Sequence, residues 1–325
     1  MRLLRLFLRV AVAAGLTGYL LWKSHPSDVA RAMSGADWRL IGGAILLVLV
    51  DRALMAYRSV LLLCTIDPDV KPAIAPLMRI FFVSTFLGTF LPASIGGDAV
   101  RAYSLSRLDV PAGDAVASVF MDRMLGVASI LLMATTGLLL GSDRTSAWLI
   151  VVSLVAAGTG CLVTALLVFS PHAARWAKAL ASWLPRAFER MGHDLVEAIR
   201  RYSAHHGTLA FVLACSVGVQ TLRILQAYLL GRGLGLDLSM TTYFAFIPLI
   251  LLFMLLPITF NGIGTSQLAF DWFFVRAAGA PAATVFALSV LFVALGVVGN
   301  LPGGVLYVSG RGYALMGGSP RAASH

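Results

Sequence analysis

The chain predicts an all-α polytopic membrane protein, built as inverted repeats with two re-entrant, broken-helix hairpins. Three observations predict it. The 325 residues are 59% hydrophobic and only 12% charged, about half the roughly 25% charge of a soluble domain, and the mean hydropathy is +0.86. Two of the long apolar runs are broken by Pro/Gly strings. The two halves also share short matches in the same order. No segment outside the apolar runs is long enough to bury a core of its own. The expectation is therefore a single integral membrane domain over residues 1–310, without a soluble catalytic module, and a disordered Gly/Ser-rich tail over 311–325.

The elements follow in order. Arg2, Arg5 and Arg9 precede an apolar run ending near Trp22. No small-residue cleavage site follows it, so it reads as a retained first span with a cytoplasmic N-terminus rather than a signal peptide. A second span covers 38–64 and carries Asp51-Arg52 near its middle. Residues 72–107 form a broken segment: an apolar arm to Leu91, a Pro-Gly-Gly interruption within LPASIGGDAVRAY, and a shorter arm to Arg107. Irregular backbone at membrane depth is tolerated only where it is buried in protein or lines a polar cavity. Spans over 115–140, carrying Asp122-Arg123, and 147–169 come next.

Residues 170–206 are basic, with apolar residues at helical spacing. They read as an amphipathic cytoplasmic segment whose main role is to set topology. A span over 209–230 carries Arg223. A second broken segment has an apolar arm at 241–256, the interruption PITFNGIGTS, and a short arm at 267–276. The last span covers 283–308.

The halves match at four points. RALMAY (Arg52–Tyr57) pairs with RILQAY (Arg223–Tyr228), and Leu91-Pro92 pairs with Leu256-Pro257. A hydroxyl residue follows each of those prolines two positions on (Ser94, Thr259), and a glycine five positions on (Gly97, Gly262). Such a series marks a duplication, with repeat one over about 38–140 and repeat two over about 207–308. With the N-terminus and the 170–206 segment both cytoplasmic, an even number of crossings separates them and the halves are inverted, a transporter architecture. Lys71, Arg79, Arg101 and Arg107 make residues 66–114 basic, as a cytoplasmic side should be. Lys23, Arg31 and Arg39 make 23–39 too basic for an outside loop.

The net charge of +10 lies in short loops and at span ends. That is the pattern of the positive-inside rule and of anionic lipid contact, not of nucleic-acid binding. Cys64, Cys161 and Cys215 are scattered without metal or disulfide spacing. Walker A, HExxH and GxSxG strings are absent, so the chain reads as no enzyme, with no cofactor and no metal.

An ionisable group at the bilayer centre costs from about 2.5 kcal/mol upward and is a functional candidate by default. Arg52, Arg101, Arg123 and Arg223 would neutralise a phosphate. Asp51, Asp98 and Asp122 would pair with them or bind a cationic headgroup. Internal salt bridging that locks helices together is the alternative, and for Asp122-Arg123 snorkelling as well. Asn261, Thr265, Ser266 and Gln267 either contact a headgroup or satisfy the broken backbone. Tyr57 and Tyr228 read as packing residues, and Asn300 as a residue that bends the last span.

At IGGDAVRAYSLSR, MDRMLG and LPITFNGIGTSQLAF the chain resembles the lysylphosphatidylglycerol synthase transmembrane, or flippase-like, family over nearly its whole length. The resemblance implies translocation of a lipid between leaflets of the bacterial inner membrane, with phospholipid or glycolipid headgroups as ligands and both termini cytoplasmic. It implies Gly96, Gly97, Asp98, Arg101, Asp122 and Arg123 as functional positions. Asn261 and Gln267 stand where the family often carries glycine and glutamate. The family's soluble synthase domain is not expected here, so a separate lipid-synthesising enzyme would be a partner; a homo-oligomer stays open. The resulting expectation is a flippase for a polar or anionic lipid. A secondary transporter of a small polar solute, a membrane-embedded lipid-modifying enzyme and a non-transporting scaffold stand as alternatives.

Overall fold

In a membrane the backbone must satisfy its own hydrogen bonds, and the computed structural model does so with helices. It describes residues 15, 17–66, 74–91, 95–108, 110–140, 155, 159, 170, 172, 196–255 and 263–309. Among these, all regular structure is helical. The 147–169 span, most of the 170–206 segment, the 311–325 tail and the centres of both breaks lie outside the described residues.

Residues 17–23 are helical and lead into a short helix α1, Pro26–Ser34. Pro26 sits at its start, where a missing N–H costs nothing. Asp28 in the first turn pairs with Arg31 at 3.1 Å. The expected 23–39 loop is thus mostly helix. Two of its three cations are held by carboxylates, since Lys23 also reaches Asp271 at 3.6 Å.

Helix α2 spans Trp38–Ile66. The apolar arm forms α3, Ile74–Phe90, and the chain resumes as α4, Ile95–Ser106. Gly96 and Gly97 therefore lie in the first turn of α4, not in the interruption where the sequence placed them. Their role is close approach: a Cβ on Gly97 would come within 2.9 Å of the Ser84 carbonyl oxygen and 3.0 Å of the Gly88 Cα. This brings α4 back against α3.

Helix α5 spans Ala112–Leu140, starting a turn earlier than expected. The second half holds α6, His206–Gly233, and α7, Met240–Leu255. A short α8, Thr265–Phe270, runs into a π-helical stretch, Asp271–Ala277, and α9 spans Ala282–Val308.

Helices α2, α5, α6 and α9 are each long and apolar enough to cross a membrane. At 1.5 Å per residue they exceed the roughly 30 Å hydrocarbon core, while α3 and α7 fall short of it. Leu46, Leu49 and Val50 on α2, Phe211 on α6 and Val305 on α9 are exposed, an apolar exterior suited to lipid.

The packing is reciprocal. Helix α2 lies along α6, α5 packs on α7, and α9 packs on α3. Gly137 of α5 sits directly against the Phe244 carbonyl of α7, and Gly303 of α9 against the Phe82 carbonyl of α3. The apolar core is split. Along α2, Ala44 and Val48 join one buried cluster, while Val60, Leu62 and Leu63 join two others. Along α5, Ala117 and Met121 belong to one side, and Ala134 and Leu138 to the other. The charged residues lie in the gap.

Candidate functional site

Where those apolar clusters part, α2 and α5 carry their ionisable residues. Arg52 is the midpoint of α2, and Asp122 lies about 6 Å from the midpoint of α5 along its axis. Helices α4 and α6 add Asp98, Arg101 and Arg223. Together they surround a cavity of about 290 Å³ whose wall includes Arg52, Arg58, Arg101, Arg123 and Arg223 with Asp98 and Asp122. Gly88 and Thr89, near the end of α3, Asn300 of α9 and Leu255, at the end of α7, also line it. Both broken segments therefore meet at the same space.

Two ion-pair networks build the wall. In the first, Asp51 lies buried behind Arg52 and Arg223, at 3.0 and 3.6 Å. Arg52 Nη2 also donates to the Gly296 carbonyl of α9 at 3.4 Å.

The second network is longer. Arg58 Nε donates to Asp122 Oδ1 at 2.7 Å and Arg58 Nη1 to Ser216 Oγ at 2.7 Å. Arg101 Nη2 donates to the other Asp122 oxygen at 3.2 Å and lies 3.7 Å from Asp98. Arg123 closes the chain with a forked contact to Asp98, at 2.7 and 3.0 Å. The Arg101 guanidinium also lies over the Phe81 ring, 5.5 Å from its centre.

Among the described residues, five arginines against three aspartates give the two networks an excess of two positive charges, although each arginine touches an aspartate. Arg58, Arg101, Asp51 and Asp122 are buried, and an uncompensated buried charge is strongly destabilising unless something answers it. The wall of the cavity is therefore electropositive. Arg123, whose side chain is 46% exposed, stands at its mouth.

Of the sequence-predicted residues, Arg52, Gly97, Asp98, Arg101, Asp122, Arg123 and Arg223 converge on the cavity. For Asp122-Arg123 this replaces snorkelling: Asp122 is buried between two arginines, and Arg123 turns back to Asp98. Internal salt bridging is real too, because the same residues make the bridges and the wall. Gly96 packs against Leu91 instead.

Gln267 does not line the cavity. Its Oε1 accepts from the Gly264 N–H at 2.5 Å and from Ser266 Oγ at 3.0 Å, so it satisfies the start of α8. Asn261 lies outside the described residues. Tyr228 packs edge-on against Tyr243 at 5.4 Å, whereas Tyr57 is exposed.

Among the wall residues that escaped the sequence reading, three carry a charge or an amide. Arg58 follows directly on RALMAY inside an apolar run, so the cost of an intramembrane charge was a signal for it. Gln220 and Asn300 carried only the weaker signal of an uncharged amide in an apolar helix. Asn300 was read as a bend, yet Nδ2 donates to Thr89 Oγ1 at 2.9 Å and ties α9 to α3. Among the described residues no group of three or more His, Cys, Asp or Glu is placed to hold a metal ion.

No curated protein matches the chain. One family model does, described as the lysylphosphatidylglycerol synthase TM region, and it matches residues 6–303. That stretch contains every residue that lines the cavity, and the apolar helices make the chain a multi-pass membrane protein. The chain belongs to the family of the lysylphosphatidylglycerol synthase TM region.

Proposed function

We propose that this protein moves a lipid with a polar or anionic headgroup between leaflets, sheltering the headgroup in the arginine-lined cavity while the acyl chains stay in the bilayer. The observation that carries the reading is the excess of two positive charges, five arginines against three aspartates, around a cavity at the middle of long apolar helices. Stability alone would favour apolar residues there, so the charge is retained for a ligand. The volume of about 290 Å³ lies at the low end for ligand pockets, roughly 300–1,000 Å³. It suits a headgroup and excludes a whole lipid.

Alternating access needs two halves able to rock about a central site. The reciprocal packing of α5 on α7 and α9 on α3 supports an inverted repeat. In this reading α3–α4 and α7–α8 are the re-entrant hairpins, too short to cross and broken next to the cavity. The orientation follows the loop charges, in the bacterial inner membrane with both termini cytoplasmic.

A small-solute carrier is the second reading, favoured by the size of the cavity. An enzyme is disfavoured because Asp98 and Asp122 are each engaged by two arginines, which leaves neither free as a base.

Reconstitution in liposomes with fluorescent lipids tests the proposal. Lipid carrying a headgroup label should become accessible to an external quencher faster than in empty vesicles. Rates no faster than in empty vesicles for every headgroup tried would defeat it.

A further inference from the structure

Among the described residues, four buried polar atoms of the cavity wall have no hydrogen-bond partner. Arg52 Nε and Arg101 Nε are buried donors without an acceptor, and Gln220 Oε1 and Asn300 Oδ1 are buried acceptors without a donor. All four residues line the cavity. Buried polar atoms are nearly always hydrogen-bonded, so four exceptions around one space describe what belongs in it.

The amide orientations are fixed by their other ends. Gln220 Nε2 donates to Ser129 Oγ at 3.2 Å, and that hydroxyl spends its proton on the Gly126 carbonyl. Asn300 Nδ2 donates to Thr89 Oγ1, and that hydroxyl spends its proton on the Thr85 carbonyl at 3.2 Å. Each hydroxyl can therefore only accept from the amide. The amide carbonyls are left to receive a proton from a ligand.

A donor to those carbonyls is either a hydroxyl or an ammonium, and the charge decides between them. Five arginines face Asp51, Asp98 and Asp122, and each aspartate already lies within 4 Å of at least two arginines. An ammonium would enter a site already two charges positive, with no carboxylate to spare. An anion carrying hydroxyls meets both demands.

We infer that the cavity selects a phosphorylated polyol headgroup, with its phosphate among the arginines and its hydroxyls donating to Gln220 and Asn300, and that it rejects headgroups bearing an ammonium. The inference rests on the lipid-translocation reading for the source of that headgroup. Aminoacylated lipids would then be poor ligands of this chain.

Equilibrium binding to the purified full chain in detergent tests the inference with four lipids and one soluble compound. Phosphatidylglycerol should bind about five-fold or more tighter than phosphatidylmethanol, which has the same charge and no hydroxyl; that ratio is the worth of one hydrogen bond. Phosphatidylethanolamine and lysyl-phosphatidylglycerol should bind more weakly than either. Gln220→Leu with Asn300→Leu should bring phosphatidylglycerol down to the affinity of phosphatidylmethanol, with an unchanged affinity for phosphatidylmethanol as the check on folding.

Equal affinity of the wild type for phosphatidylglycerol and phosphatidylmethanol overturns the inference, as does tighter binding of lysyl-phosphatidylglycerol. Glycerol 3-phosphate competing as well as phosphatidylglycerol overturns the lipid as source. The same lipids in a leaflet-exchange assay separate the two ideas. Selective binding without exchange defeats translocation and upholds the selectivity. Exchange indifferent to headgroup defeats the selectivity and upholds translocation.

Discussion

Asp122 is the residue on which the site turns, because it holds Arg58 with one oxygen and Arg101 with the other. Removing one partner of a buried ion pair costs about 3–5 kcal/mol. Asp122→Ala should lower unfolding stability in micelles by that order. Arg123 is the contrasting case. Its half-exposed pair with Asp98 contributes at most about 1 kcal/mol to folding, so Arg123→Gln should keep its unfolding midpoint. It should still slow lipid transfer by about ten-fold, the rate equivalent of one lost charged hydrogen bond.

The intramembrane cost of charge made Arg52, Asp98, Arg101, Asp122 and Arg123 legible in the sequence beside Arg223, and the repeat and the family resemblance added Gly97. It should have caught Arg58 as well. The repeat offered no help there, because the position equivalent to Arg58 in the second half is Leu229. Gln267 shows the opposite limit: an amide beside a break reads as a ligand, and only its contact with the Gly264 N–H reveals a cap.

At the scale of elements, hydrophobic runs fixed the long helices to within about a turn, since a 20-residue apolar stretch has few alternatives. What a run cannot encode is which helix it meets. IGG looked like a breaker, yet both glycines are helical, and Gly97 is small because Gly88 and Ser84 lie against it. The same reasoning applies to the α5–α7 and α9–α3 crossings. Gly137→Leu or Gly303→Leu would drive a side chain into a backbone carbonyl and should cost about 1–3 kcal/mol or abolish folding. Gly42→Ala on the open face of α2 meets nothing within 4 Å and should gain about 0.5–1 kcal/mol. Unfolding midpoints of the three variants check this, and equal effects at Gly42 and Gly137 would contradict the crossing.

For the whole molecule, orientation rests on loop charge, and the fold changes that count. Arg101 belongs to the cavity wall and drops out of the 66–114 tally, while Lys23 and Arg31 at 23–39 are paired with Asp271 and Asp28. Lysine and arginine count towards orientation whether or not a carboxylate pairs with them, so the 23–39 segment stays basic and labelling decides its side. In a background without native cysteines, Gly35→Cys and Asp237→Cys should react with an impermeant reagent from outside, and His205→Cys only from inside. Labelling of positions 35 and 205 from the same side would contradict inversion.

The central claim is that the arginine cavity carries the headgroup across. Its most direct measurement is leaflet exchange of a fluorescent anionic phospholipid in proteoliposomes holding either the wild type or Arg123→Gln at equal, folded density. The account predicts rapid exchange with the wild type and exchange about ten-fold slower with the variant. Equal rates for the two proteins, fast or slow, would contradict it.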